Sequence, residues 1–540
     1  MHRSLALAVE KCKSPGALRR SGLPYNGAVK QLTDTADIPA LSEEDLRTCV
    51  RVLAAIQADR GLLTRLSQAA RRELLTLAGL IAKPERADLR RMAKAFRRAE
   101  REAAKTQDRR ALDQAGLRIQ RRSAAYTPLW LEPPAERVQS GPELQRERSC
   151  YVCKQPFAQV HRYYDSMCRT CGDFNYLKRT QSCDLTGRVA LITGARVKIG
   201  FQASLKLLRA GAHVIVTTRF PVDAAGRYAR EPDFSGFRGR LDIHGIDLRH
   251  TPSVELFARS LEKELPRLDY ILNNACQTVR RPAGFFGHLL AEERRPLGAL
   301  PAAWRGLLSR HETLRRSIAA MHPGHGALPA AERVHPGAEG LLESAALSQR
   351  RYLDEDFQDG RLLFPPGAYD EDHQQIDLRE TNSWRLRLHE VETPELLEVH
   401  LVNCIAPYIL NARLRPLMRR TAGQHKHIVN VSAVEGQFYR TIKTDRHPHT
   451  NMAKAALNMM TRTSAPDFVK DGIHMNAVDT GWVTDEDPAI HAARKAELGF
   501  APPLDIIDGA ARIVDPIFSG TLTGTHLWGR FLKDYAPAPW

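Results

Sequence analysis

Four cysteines stand at a spacing with a definite chemistry. In "CYVCKQPFAQVHRYYDSMCRTC", Cys150, Cys153, Cys168 and Cys171 form Cys-x2-Cys, a loop of fourteen residues, and a second Cys-x2-Cys. Two-residue spacing lets both thiolates of a knuckle face one ion, and two knuckles complete a tetrahedron. A Zn2+ ion held this way has no open coordination position, so its expected role is structural. The other five of the nine cysteines fit small packing positions. Next comes "RVALITGARVKIGFQASLKLLRAGAHVIVTTR", which reads as strand, glycine-containing turn, amphipathic helix, Gly211 as C-cap, and second strand. A tight turn opening into a helix presents free N–H groups and the positive dipole end to a pyrophosphate.

The turn "TGARVKIG", with Thr193, Gly194, Arg196, Lys198, Ile199 and Gly200, resembles the TGxxxGxG fingerprint of the short-chain dehydrogenase/reductase family. It departs at the middle glycine, which is Lys198. Further matches follow in the family's order. "HGIDL" ends a third strand with Asp247 and Leu248, at the place of the pair that contacts adenine. "LDYILNNA" carries Asn274 and Ala275, with Cys276 where the family has glycine. Asn403 in "EVHLVNCIAPYIL" lines up with the active-site asparagine. "HIVNVSAVEG" resembles the segment of the catalytic serine: counting from Gly436 puts Ala433 at its place, with Ser432 one step early and on the other face of an extended strand. In "GIHMNAVDTGWVTDE", Thr480 replaces the proline before Gly481, and Thr484 falls one position short of the nicotinamide-side threonine. The resemblance covers about residues 185 to 490. It implies an α/β fold with a doubly wound parallel sheet of Rossmann type, hydride transfer to or from a carbonyl or alcohol carbon of a small molecule, and often a homo-oligomer.

In "HTNMAKAAL", Lys454 is present, but Thr450 stands where the family keeps its proton-donating tyrosine. A tyrosine hydroxyl titrates near ~10, and an adjacent cation can bring it towards working range. An aliphatic hydroxyl is several units more basic, so Thr450 would orient a water or accept a hydrogen bond rather than act as the acid. Tyr439, His447 and His449 are nearby replacements, while Lys454 would grip the nicotinamide ribose, Asn403 support a water relay, and Ser432 polarise the substrate oxygen. Cofactor choice follows from charge. NAD(H) specificity calls for an acidic residue after the second strand, whereas "VTTRFP" offers Arg219, and Arg196 lies in the turn. Two guanidiniums favour a 2′-phosphate, so NADP(H) is expected. The alternative is a catalytically impaired NADP(H)-binding sensor or scaffold with a zinc-dependent partner surface.

The chain has 540 residues, enough for several domains. The pattern gives a helical region over 1–125, expected to form a small bundle, a Pro-rich linker over 126–148, a four-cysteine zinc-binding module over 149–182 and the Rossmann domain over 184–540. An insertion at about 281–375 leaves the ligand-binding edge of the sheet; part of it is expected to be a loop, with His322, His325 and His335 as loop residues. The net charge of +17 admits nucleic acid as a partner. Interleaved signs in "KPERADLRRMAKAFRRAEREAAKTQDRR" fit a solvated, salt-bridged helix better. No apolar run reaches the length of a bilayer span and the N-terminus does not read as a secretory signal, so a cytoplasmic location is expected.

Overall fold

The computed structural model describes residues 41–122, 141–320, 337–358, 360–370, 374–423, 425–439, 443–484 and 486–540. His322, His325 and His335, and residues 126–140 of the expected linker, lie outside them. The chain divides into two compact units, Met1–Arg98 and Ala99–Trp540.

In the first unit, helices Glu43–Ala58 and Gln68–Ala82 form, and a third, Arg86–Leu112, begins. Ser42 caps the first by accepting the Asp45 N–H, and Asp45 accepts the Ser42 N–H in return. Leu46, Val50 and Leu53 follow at helical spacing but stay exposed. None of residues 41–98 is buried, so the expected bundle has no core among the described residues.

The second unit is built on strands β3 (Val189–Thr193), β4 (His213–Thr218), β5 (Leu241–Gly245), β6 (Tyr270–Asn273), β7 (Lys426–Ser432), β8 (Ile473–Asp479), β9 (Phe531–Lys533) and β10 (Ala536–Ala538). A separate hairpin, β1 (Glu143–Ser149) with β2 (Pro156–Gln159), precedes them. The sheet order is β10-β9-β8-β7-β6-β3-β4-β5, parallel except for β10 against β9. Chain order reverses between β3 and β6, and in such sheets the crevice beyond the carboxyl ends at that point takes the ligand.

The central strands are near-continuous apolar runs because both faces are covered. Alternate residues serve opposite cores: Ala190 and Ile192 of β3 face one, Leu191 the other. Helices Lys198–Arg209 and Ile506–Thr523 close the first face; Thr251–Glu264 and Ala406–Arg419 close the second. Gly211, at φ +97°, turns the chain into β4, where a Cβ would come 2.7 Å from Thr186 Oγ1. The insertion contributes the helix Ala302–Ala320, which packs along β5; its Leu307 and Leu308 join the first core and its Leu314 the second.

Candidate active site

A cavity of about 1360 Å³ opens at the carboxyl edge of the sheet. Its floor is the turn after β3. Gly194 has φ +67°, and a Cβ there would come 2.7 Å from Ala275 Cα. A Cβ on Gly200 would come 2.3 Å from Asn274 Nδ2 and 2.4 Å from the Gly194 carbonyl oxygen. Asn274 Nδ2 donates to the carbonyls of Thr193 and Gly194, both at 3.0 Å, and the Ala275 N–H donates to Thr193 Oγ1. The turn is thereby latched to the end of β6, packed so closely at Gly194 and Gly200 that a Cβ at either would clash. Lys198 adopts φ +55°, the left-handed conformation its glycine counterpart takes without strain. Its charge, with that of Arg281, keeps the half-buried Glu486 carboxylate below its ordinary range against desolvation. Glu486 accepts hydrogen bonds from Thr484 at 2.8 Å and Thr278 at 3.1 Å. Ile199 and Thr484 also line the cavity.

The two arginines differ. Arg196 is ion-paired with Asp223 at 2.7 Å and lies over the Phe220 ring. Arg219 lies against the rings of Phe220 and Phe286, and its guanidinium makes no hydrogen bond or ion pair among the described residues. Burial, then Arg249, pull its pKa down to about 10, although Asp247 opposes them. A guanidinium with rings beside it and no carboxylate bonded to it is open to an anion. Asp247 is engaged elsewhere: Arg249 grips its carboxylate at 2.6 Å, and its N–H donates to the Gly340 carbonyl. Leu248 lines the wall beside it.

The residues at the family's catalytic positions are bonded inside the protein. Asn403 sits in a π-helical turn, Leu401–Ile405, a distortion frequent at functional sites. Its Oδ1 accepts the Gln277 N–H at 2.7 Å and its Nδ2 donates to the Gln277 carbonyl at 3.0 Å, so it clamps the loop after β6. Ser432 donates to Asn458 Oδ1 at 2.6 Å, and Lys454 to the Val431 carbonyl at 2.8 Å. Ala433, Ser432 and Lys454 all contribute to the wall. Thr450 is buried, is absent from the wall, and its hydroxyl has no partner among the described residues. His449 is likewise buried off the wall, its pKa lowered to about 4 by burial and then by His447. Tyr439 and His447 do face the cavity. Tyr439 is half exposed, and the His447 ring lies flat on Trp384 at 4.0 Å, burial depressing its pKa.

Two wall residues escaped the sequence reading. Asp479 ends β8, where burial pushes its carboxyl up to about 6 even though the Gly481 N–H at 2.9 Å and Lys533 favour the ionised form. No local pattern marks it, since β8 also carries His474 and Asn476. Tyr151, between the first two cysteines, accepts the Trp482 N–H at 2.9 Å, and burial followed by the Asp479 charge raises its pKa. Nothing local in the sequence marks it.

The four cysteines converge. Their sulfurs lie within 4.8 Å of one another, with Cys153 and Cys168 Sγ at 3.8 Å. A tetrahedron with ~2.3 Å Zn–S bonds has edges of about 3.8 Å. Burial resists ionisation of Cys150, but N–H groups of Cys168, Cys153 and Val152 outweigh it and bring the thiol to about 7. A thiolate-binding ion fits this set.

Two family models match the chain: short chain dehydrogenase over residues 188–290 and enoyl-(acyl carrier protein) reductase over residues 381–498. An uncharacterized protein of Acanthamoeba polyphaga mimivirus is 30% identical over 390 residues, covering 69% of this chain and 71% of that protein. Human retinol dehydrogenase 14 is 35% identical over 116 residues, 18% of this chain; the chain spans only 34% of that enzyme's length. A solved Pseudomonas aeruginosa RhlG/NADP active-site complex shares 18% identity at a TM-score of 0.39, covering 65% of this chain and 95% of that one. The two matched segments hold the phosphate-binding turn and the Asn403, Ser432 and Lys454 positions, and the intervening residues belong to the insertion: the chain belongs to the short-chain dehydrogenase/reductase family.

Proposed function

We propose that the protein is an NADP(H)-dependent oxidoreductase acting on a carbonyl or alcohol substrate. Arg219 carries this reading: a pocket-lining guanidinium at the end of β4 with no carboxylate bonded to it. Charge-assisted bonding to a 2′-phosphate would satisfy it, and an adenosine ribose bearing only hydroxyls would not. The glycine-lined turn fits the pyrophosphate, with Lys198 adding positive charge. When bound, the nicotinamide would supply or accept the hydride.

This chain's residues shape the rest. Asn403 holds the loop after β6 through Gln277, and Lys454 is anchored at Val431 beside the wall. The acid–base role falls to a group that faces the cavity, which favours Asp479 and Tyr439 over Thr450. A carboxyl near 6 is matched to proton transfer close to neutral pH. The four cysteines would hold a structural Zn2+ that keeps Tyr151 against Trp482.

The test is Arg219→Ala, read by fluorescence titration with NADPH and NADH. A charge-assisted bond contributes ~1.5–3 kcal/mol, so NADPH affinity should fall by roughly 10–100-fold with NADH affinity unchanged. Equal loss for both, or none for either, would remove the NADP(H) assignment. The sensor or scaffold reading keeps one observation in its favour: Asn403, Ser432 and Lys454 are all bonded internally. Tight NADPH binding without turnover across a broad carbonyl panel would select it.

A further inference from the structure

The edge of the sheet opposite the cavity carries four histidines that this chemistry does not use. His427 lies at the start of β7 and His474 at the start of β8, His425 just precedes β7, and His526 follows the Ile506–Thr523 helix. One ring nitrogen from each of His427, His474 and His526 lies within 4.8 Å of the others. His526 Nδ1 is 2.9 Å from His427 Nε2, and its Nε2 is 2.7 Å from His425 Nδ1. His474 and His526 stack at 4.8 Å.

Two further observations suit an ion. The Nδ1–H of His474 donates to the Lys426 carbonyl at 3.2 Å, which leaves the Nε2 lone pair for a metal; backbone carbonyls commonly orient ligating histidines this way. His526 can donate its Nε2–H to His425 Nδ1 at 2.7 Å, which leaves its Nδ1 lone pair facing the cluster. The fold also leaves room: a Cβ on Gly520 would come 2.4 Å from His526 Nδ1. Nitrogens around a tetrahedral ion at ~2.0–2.1 Å stand about 3.4 Å apart, so small side-chain rotations close the present spacing.

We propose that His427, His474 and His526 bind a divalent first-row cation of the kind imidazole prefers, such as Zn2+, Ni2+ or Cu2+, with the fourth position left to solvent and exposed His425 orienting His526 through its far nitrogen. The protein's donors are all nitrogen, unlike the cysteine cluster. β7 and β8 each run from this cluster to the cavity wall, at Ser432 and Asp479, roughly 17 Å away. The ion would therefore staple the two strands and the exit of the last long helix, and take no part in hydride transfer.

Full-length, untagged protein would be titrated with Co2+ by calorimetry and visible spectroscopy, with zinc content followed by native mass spectrometry. The wild type should bind one equivalent beyond the cysteine-held metal, with d–d bands but no thiolate charge-transfer band, and a raised Tm. His526→Gln and His474→Gln should each lose that equivalent while keeping the cysteine-held zinc. Should either misfold, His425→Gln decides, because its exposed ring leaves packing intact and its loss should still weaken binding. No extra equivalent in the wild type, thiolate bands alone, or unchanged affinity in all folded variants would overturn the site.

Discussion

Asp479 and Thr450 pose the sharpest question at the level of single residues. Losing a general acid typically lowers the rate by ~10²–10⁴. With a reducible carbonyl and NADPH, Asp479→Asn or Tyr439→Phe should show that loss in kcat with cofactor binding retained, and the affected one names the donor. Thr450→Ala, off the wall, should leave kcat within about twofold. Asp479 also makes a stability claim. Its folded pKa of about 6 lies above the unfolded value near ~3.9. The protonated form therefore contributes stability that is complete below the unfolded pKa and lost as pH rises through about 6. Asp479→Asn, which keeps an acceptor for the Gly481 N–H, should exceed the wild type by about 3 kcal/mol at pH 8 and match it near pH 4. Urea unfolding across that range checks it; a difference independent of pH would mean Asp479 is ionised throughout.

The decisive element is the turn between β3 and its following helix. Gly200 lies against the Asn274 amide and the Gly194 carbonyl, both of which hold the latch between β3 and β6. Gly200→Ala should cost ~1–3 kcal/mol from overpacking, and NADPH binding should weaken beyond what that destabilisation explains. Calorimetric titration at a temperature where the variant is fully folded separates the two. Lys198 in the same turn shows how a side chain is accommodated: the residue takes φ +55° and its charge favours the half-buried Glu486 carboxylate.

Within the second unit, the segment that follows the cysteine hairpin, with its helix Arg169–Thr180, is joined to the last long helix by buried charge. Arg179 makes a bidentate pair with Asp505 at 2.6 Å, and Tyr164 donates to Asp508 at 2.6 Å. Asp505 is also the N-cap of the Ile506–Thr523 helix. Arg179→Ala would leave two buried carboxylates, Asp505 and Asp508, without the cation that pairs with them, at ~3–5 kcal/mol. Denaturant melts should show that loss, and with the proposed Zn2+ at the four cysteines, chelation should lower Tm and NADPH affinity together through Tyr151 and Trp482. Chelation without effect on either would separate the hairpin from the cavity.

What the linear order alone determined is local. Apolar strand runs, the glycine turn and the paired Cys-x2-Cys motifs follow from period and spacing, because strand pleat, tight turns and metal knuckles are short-range geometry. The family positions were legible for the same reason, as short motifs in fixed order. What only the tertiary structure decided is partnership. Arg196 and Arg219 read alike in sequence, yet one meets Asp223 and the other only rings. Thr450 and Tyr439 are both hydroxyl residues close to Lys454 along the chain, and burial put one off the wall and the other on it. Tyr151 and Asp479 stand far apart along the chain and act on each other only because the hairpin folds onto the end of β8. Burial and charge pairing depend on distances the chain sets by folding, and no spacing along it encodes them.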